Sequence, residues 1–136
     1  MNDFNRKIID EFRANKGKVV DGMFKGMPMV LLTTKGRRSG QEHITPLVPL
    51  EDDGKLYVFG SMGGAPKHPA WFLNLRDNPR VTVEHGTDKF DADARILEGD
   101  EHDRIYAKQA QRVPAFGEYQ KKTTRTIPVV ELKPVA

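Results

Sequence analysis

Short β-prone segments joined by tight turns recur along this chain, and no other feature restricts its fold as strongly. The clearest case is a hairpin over residues 80–97, in which apolar and polar residues alternate on either side of Gly86-Thr87-Asp88. Such alternation is typical of antiparallel strands with one face in water. The same criteria predict six strands, over residues 29–34, 43–50, 55–60, 80–85, 89–97 and 126–132.

Helices are predicted at the N-terminus and at three later positions. Phe4, Ile8, Ile9 and Phe12 have helical spacing on one apolar face, and Gly17 is a suitable stop. Most connections between the strands are of hairpin length, which favours a barrel over a parallel sheet. We therefore expect a single mainly β (α+β) domain over the whole chain, a six-stranded antiparallel barrel with short flanking helices. The later positions are helices over residues 68–75 and 100–111 and a short helix or turn over residues 114–122.

The composition excludes several kinds of site. The chain contains no cysteine, so disulfides, thiolate metal sites and a cysteine nucleophile are absent. The four histidines lack the spacing of a metal site, and no serine-nucleophile motif occurs. No apolar run reaches the roughly 18 residues that span a membrane, and the first residues do not have the pattern of a secretory signal. We expect a cytoplasmic protein.

Charge is unevenly distributed along the chain. Residues 1–50 carry nine basic and five acidic side chains, residues 51–100 carry six and ten, and residues 101–136 carry seven and four. Such segregation indicates a local anionic partner. Since the basic residues are not interleaved with stacking aromatics, a small anionic ligand is favoured over a nucleic acid.

Two glycine-rich loops are candidate ligand sites. The first loop (residues 35–40, KGRRSG) places Arg37, Arg38 and Ser39 between two glycines, and guanidinium groups beside accessible backbone bind phosphate or carboxylate. The second loop (residues 61–66, SMGGAP) lies between a predicted strand and a predicted helix, where backbone can approach a flat ligand. Taken singly, each loop is better explained as a solvated or flexible connection than as a ligand site.

Aromatic residues on two predicted helices are candidate walls for such a site. Trp71 and Asn74 are three residues apart on one helical face, and Phe116 and Tyr119 have the same spacing near the C-terminus. The alternative for each pair is packing against the core. In a ligand site, the Tyr119 hydroxyl could donate a proton or a hydrogen bond.

The order of these segments resembles the deazaflavin-dependent nitroreductase and quinone reductase family, whose members use coenzyme F420. The resemblance covers roughly residues 29–134 and leaves residues 1–17 outside its strongest part. It implies the split β-barrel fold of flavin-mononucleotide-binding proteins. It also implies hydride transfer from the reduced coenzyme to a quinone, enone, nitroaromatic or similar planar acceptor. It rests on the segments LLTTKGRRSGQEHITPL, VFGSMGGAPKHPAWFLNLRDNPRVTVE and FGEYQKKTTRTIPVVEL.

The resemblance also implies roles for matching residues. Arg37, Arg38 and Ser39 would hold the phosphate and acidic tail of the coenzyme, while Phe116 and Tyr119 would close the substrate side, with Tyr119 as candidate proton donor. The remaining coenzyme contacts would come from His43, Thr45, Pro46, Leu47, Ser61, Met62, Gly63, Gly64, Ala70, Trp71 and Asn74.

The chain departs from the family pattern at three of these positions, one of which is Phe116, where some members have a tyrosine. His43 and Met62 stand where family members often have basic residues, so Lys35 and Lys67 are alternative cations for the acidic tail. Two other functions fit the same residues: a reductase that binds flavin mononucleotide on this fold, and a non-catalytic carrier of a deazaflavin, a lipid or haem. The protein is expected to be a monomer or a homodimer.

Overall fold

A single antiparallel sheet contains all the strands in the described part of the chain. The computed structural model describes residues 3–19 and 26–135. Its strands are β1 (Val30–Lys35), β2 (Glu42–Leu47), β3 (Leu50–Asp52), β4 (Lys55–Phe59), β5 (Arg80–His85), β6 (Asp88–Ile96) and β7 (Val129–Pro134). Its helices are α1 (Asp3–Ala14), α2 (Ala70–Asp77), α3 (Gly99–Arg112) and α4 (Ala115–Lys121), with a short 3₁₀ turn at Met62–Gly64.

The two edges of this sheet are consecutive in the chain. The strand order is β2-β1-β5-β6-β7-β4-β3, and only Val48 and Pro49 separate β2 from β3. A two-residue link cannot span a flat sheet of this width, so the sheet curls until its edges approach each other. This is the predicted barrel, with helices outside it.

Residues 43–50 form parts of two strands, where one was predicted, and the sheet therefore has seven strands instead of six. The break falls at Pro49, which has no N–H to donate to a strand ladder. The chain uses this position to pass from one edge of the sheet to the other. Both β2 and β3 are edge strands, the position in a sheet where proline is tolerated.

Alternating strand residues supply three apolar clusters. Val30 and Leu32 of β1 point into the barrel, where Phe72 and Leu75 of α2 close one end, while Leu31 points outward to α1. The strands β4 and β7 divide in the same way between the barrel and the cluster under α3 and α4. β1 is therefore buried on both faces, which explains its continuous apolar run.

The three later helices agree with their predicted positions to within two residues at each end, while α1 ends at Ala14, three residues before the predicted stop at Gly17. Ile8, Ile9 and Phe12 of α1 are buried as predicted, whereas Phe4 is 53% exposed. In the described residues, 3–19 and 26–135, the structure contains no helix with the length and apolar character needed to cross a membrane.

Candidate functional site

The first loop closes the hairpin between β1 and β2 with its own hydrogen bonds. The Gly36 N–H donates to the Gln41 carbonyl at 2.7 Å, and the Gly40 N–H donates to the Gly36 carbonyl at 2.8 Å. Gly40 has φ +71°, a left-handed conformation in which glycine avoids the strain of a side chain. The Ser39 hydroxyl accepts from the Gln41 N–H at 3.1 Å. These bonds fix the loop without using its two arginine side chains.

Arg37 and Arg38 are exposed, and neither forms an ion pair with a carboxylate of the described residues. Some other surface arginines are paired, as Arg13 is with Glu84 at 2.9 Å. Two adjacent guanidinium groups without carboxylate partners are available to bind an anion by forked, charge-assisted hydrogen bonds.

A groove of about 690 Å³ lies between this loop, β2 and the start of α2. Most of the tail-binding and ring-binding residues predicted from the sequence line it together. The lining residues that had been predicted are Arg37, Arg38, Ser39, His43, Thr45, Ala70, Trp71 and Asn74. Gly36 and Ile44 belong to predicted segments, whereas Asn5, Gln41 and Glu42 were missed by sequence reasoning. Asn5 comes from α1, whose apolar spacing gave no indication that its polar side borders a ligand groove.

Asn74 ties the first loop to the body of the protein. Its side-chain amide donates to the Thr34 hydroxyl at 3.2 Å, and its carbonyl oxygen accepts from the Arg37 N–H at 3.1 Å. Asn74 is only 6% exposed, so these bonds are shielded from water and costly to lose. Asn74 therefore holds the backbone of the arginine-bearing loop, in addition to lining the groove.

Trp71 takes both roles that the sequence left open. It belongs to the apolar cluster inside the barrel, where its ring meets Phe72 edge to face at a centroid distance of 6.3 Å. It also lines the groove. A large aromatic side chain can anchor a helix and still present part of its surface to a ligand.

The second loop packs against α4. Gly64 has φ +83°, and a Cβ atom there would lie 2.8 Å from the Tyr119 carbonyl oxygen. Gly63 also has a positive φ, of +64°, but a Cβ atom there would meet nothing within 4 Å. Met62 has φ +47° and is 59% exposed, an unusual conformation for a residue with a side chain. These loop residues, together with Pro46 and Leu47, lie outside the lining of the groove.

Arg125 is a structural residue of the second loop that the sequence did not reveal. Its Nη2 donates to the Ser61 carbonyl at 3.0 Å, its Nε donates to the Ala65 carbonyl at 2.9 Å, and its Nη1 is 3.1 Å from His68 Nδ1. Burial lowers the pKa of Arg125. Nearby Lys121 is exposed and pairs with Glu118 at 3.3 Å. The basic C-terminal segment therefore contains both a loop-building cation and surface charge.

Phe116 lies mainly in the protein core. It is 7% exposed, and its ring packs edge to face on Phe59 at 5.5 Å. The buried Tyr106 hydroxyl donates to the Phe116 carbonyl, and burial raises the pKa of Tyr106 to about 12. The Tyr119 ring lies 5.2 Å from that of Phe116, and neither residue lines the groove. Packing accounts for Phe116, while a substrate contact for either residue stays a prediction.

A second groove, of about 510 Å³, lies at the β3–β4 turn and the end of β7. None of the predicted site residues lines it. Its lining carries four carboxylates, from Glu51, Asp52, Asp53 and Glu131, and two lysines. This excess of negative charge disfavours an anionic ligand, whereas Glu42 is the only carboxylate among the described residues that line the first groove.

Comparison with known proteins identifies the family. A family model described as F420H2-dependent quinone reductase matches residues 4–134. The chain belongs to this family. It is 32% identical over 126 residues to an F420H2-dependent quinone reductase of Mycobacterium tuberculosis strain H37Rv, a match that covers 89% of this chain and 83% of the relative.

Solved structures of similar proteins confirm the split-barrel fold predicted from the sequence. One, described as an F420-H2 dependent reductase, has a TM-score of 0.71 and 41% identity over 78% of this chain and 94% of its own. Another, described as a domain-swapped dimer, has a TM-score of 0.73 and 37% identity over 96% of this chain and 98% of its own. The prediction of an F420H2-dependent reductase is confirmed by these relationships.

Proposed function

We propose that this F420H2-dependent quinone reductase binds its coenzyme in the groove beside the first loop and transfers a hydride to a quinone near the second loop. One observation carries the placement of the coenzyme. Two exposed guanidinium groups without carboxylate partners among the described residues, Arg37 and Arg38, stand at a groove whose wall includes the indole of Trp71. Two cations next to an aromatic side chain suit a ligand that has an anionic tail and a flat ring.

The groove residues fit the chemistry of such a coenzyme. Arg37 and Arg38 would bind the phosphate and carboxylate groups of the coenzyme through bidentate hydrogen bonds. Because Asn74 already holds the Arg37 backbone, little conformational entropy would be lost when the coenzyme binds. His43 and Ser39 add polar groups on the same wall. Lys35 is exposed at the end of β1 and adds positive charge beside the loop.

The chain itself supplies binding, orientation and a proton. When bound, the reduced deazaflavin supplies the hydride. The two arginines would hold the tail of the coenzyme, and Trp71, which lines the same groove, would contact its ring. Hydride addition to a quinone gives a hydroquinone anion, which takes up one proton to become the hydroquinone. The Tyr119 hydroxyl forms no hydrogen bond with the described residues, and we assign it the delivery of one proton to a quinone oxygen.

A side-by-side titration with coenzyme F420 and flavin mononucleotide tests this proposal. We expect micromolar binding of F420 and much weaker binding of the flavin. Oxidation of the reduced coenzyme, followed by absorbance, should then depend on added quinone. Tight binding of the flavin alone would favour a flavin reductase, and F420 binding without turnover across a panel of quinones, enones and nitroaromatics would favour a carrier.

The role of Tyr119 has its own test. Tyr119→Phe should lower kcat about 10-fold and leave the affinity for F420 unchanged, because the ring remains and only the proton donor is lost. Tyr106→Phe is the matched control, since its hydroxyl is bound to a backbone carbonyl inside the core. Equal kcat values for Tyr119→Phe and the wild type would remove Tyr119 from the mechanism.

The oligomeric state and the location of the protein are also part of the proposal. A relative with 37% identity is described as a domain-swapped dimer, which supports a homodimer over a monomer. Light scattering at several concentrations would separate the two states. We propose a cytoplasmic location, which fractionation of the source cells would test.

A further inference from the structure

Arg125 is bound to the protein in an unusual way for a partly buried arginine. Its guanidinium contacts two backbone carbonyls and one imidazole nitrogen, and it has no carboxylate partner among the described residues. The Ser61 and Ala65 carbonyls stand at the two ends of the second loop. One planar guanidinium group therefore connects two parts of this loop, a geometry that the ammonium group of lysine cannot reproduce.

The residues that follow Arg125 attach the same region a second time. The Gly60 N–H donates to the Pro128 carbonyl at 2.9 Å, and a Cβ atom on Gly60 would lie 2.6 Å from the Pro128 ring. The segment 125–128 thus holds the chain where it leaves β4. The chain then runs through the second loop and His68 to Ala70, which lines the groove.

The contact with Arg125 also determines the state of His68. A guanidinium group has no acceptor, so Nδ1 of His68 must accept, and the proton of the neutral imidazole lies on Nε2. The charged groups that act on this ring are two cations, Arg125 and Arg76, while Phe72 packs against it at 5.0 Å. Burial, followed by these two cations, lowers the pKa of His68 below its usual 6.5.

We propose that Arg125 is a positioning residue for the reductase reaction, which holds the second loop and a neutral, Nε2-protonated His68 in register with the coenzyme groove. The inference rests on the proposed function for its catalytic consequence only. Its structural content, the tautomer of His68 and the attachment of the loop, can be measured without turnover.

The main experiment compares Arg125→Ala with Arg125→Lys and with the control Arg112→Ala, which removes an exposed arginine at the end of α3. In Arg125→Ala we expect kcat to fall at least 10-fold, while the affinity for F420 changes less than about 3-fold because Arg37 and Arg38 are intact. Arg125→Lys should restore less than half of the lost kcat. Millimolar guanidinium or methylguanidinium should raise the kcat of Arg125→Ala several-fold and leave Arg112→Ala unaffected.

Nitrogen-15 NMR of the histidine rings supplies the readout that does not depend on activity. In the wild type, His68 should be the Nε2-protonated tautomer and should titrate below pH 6.5. In Arg125→Ala it should titrate at a higher pH and show both tautomers, and in Arg112→Ala it should match the wild type.

The outcomes separate the two proposals. If the wild type does not oxidise the reduced coenzyme, the proposed function fails, and the NMR experiment still decides the role of Arg125. If the wild type is active but folded Arg125→Ala or Arg125→Lys keeps the wild-type kcat and His68 tautomer, the positioning role is wrong. Should Arg125→Ala fail to fold, Arg125→Lys alone decides the question by the same criteria.

Discussion

The two glycine-rich loops use arginine in opposite ways. In the first loop, Arg37 and Arg38 extend from a backbone that is already hydrogen-bonded, and they bind no carboxylate of the described residues. The second loop is bound by an arginine from elsewhere in the chain, since Arg125 donates hydrogen bonds to two carbonyls of the loop. The arginines of the first loop are therefore available to a ligand, whereas Arg125 is used to fix the shape of the second loop.

This difference separates the effects expected from mutation. Removing an arginine that binds only ligand weakens binding and leaves the fold intact. Removing a group that a loop requires for its shape destabilises the loop first, and any effect on the reaction follows from that. Mutations at the first loop should therefore change binding first, and mutations at the second loop should change stability first.

The largest effect is expected from Arg37→Ala/Arg38→Ala. Losing two charge-assisted contacts, discounted for exposure to solvent, should weaken F420 binding about 100- to 1,000-fold, or about 3–4 kcal/mol. The melting temperature should change little, and the binding of the wild type should weaken with salt more steeply than that of the variant. The control Arg104→Ala/Arg112→Ala removes the same charge from exposed positions on α3. If the control weakens binding as much, the attraction comes from net charge and not from the first loop.

Gly64→Ala should destabilise the protein by about 2–3 kcal/mol. The new methyl group combines the cost of a left-handed conformation with a 2.8 Å approach to the Tyr119 carbonyl oxygen, an atom that cannot rotate away. Gly63→Ala and Gly40→Ala are matched controls, since both have positive φ but meet nothing within 4 Å, and each should cost about 1 kcal/mol. Chemical denaturation measures all three, and equal costs would show that the contact with α4 is unimportant.

Local patterns predicted the parts of the molecule that depend on neighbouring residues. The alternation over β5 and β6, the apolar run of β1 and the composition of the first loop all report interactions within a few residues. For this reason the strands agreed with expectation apart from the break at Pro49, and eight of the predicted site residues line one groove.

The parts that could not be predicted depend on distant contacts. Arg125 is 60 residues from Ala65 and 64 from Ser61, and nothing in its own surroundings indicates that it binds them. The spacing of Phe116 and Tyr119 suits a core-facing pair as well as a ligand wall, so the sequence could not decide between them. The division of residues 43–50 into two edge strands required knowledge of how the sheet curls.

Asn74→Ala tests whether the two loops are coupled. Asn74 lies on α2, which follows the second loop, and its side chain holds the backbone of the first. The change should destabilise the protein by about 1–2 kcal/mol, because it leaves the buried Thr34 hydroxyl and the Arg37 N–H without this partner. It should also weaken F420 binding about 5- to 10-fold. Unchanged binding in a destabilised variant would show that the first loop keeps its shape without α2.

The smallest expected effect is a pH dependence of the free energy of unfolding that comes from His68, beside the second loop, and does not involve the first loop. The pKa of His68 is lower in the folded state than in the unfolded chain, where it is about 6.5, so the folded state binds fewer protons. The contribution of His68 to the free energy of unfolding is therefore complete above pH 6.5. It is lost as the pH falls through the pKa that His68 has in the folded protein. Between pH 8 and pH 5, the melting temperature should therefore decline less steeply in His68→Gln than in the wild type.

Arg37→Ala/Arg38→Ala should keep the wild-type pH profile, because no contact of His68 involves the first loop. A shallower profile in that variant as well would mean that the first loop contributes to the pH dependence and that the two loops are not independent.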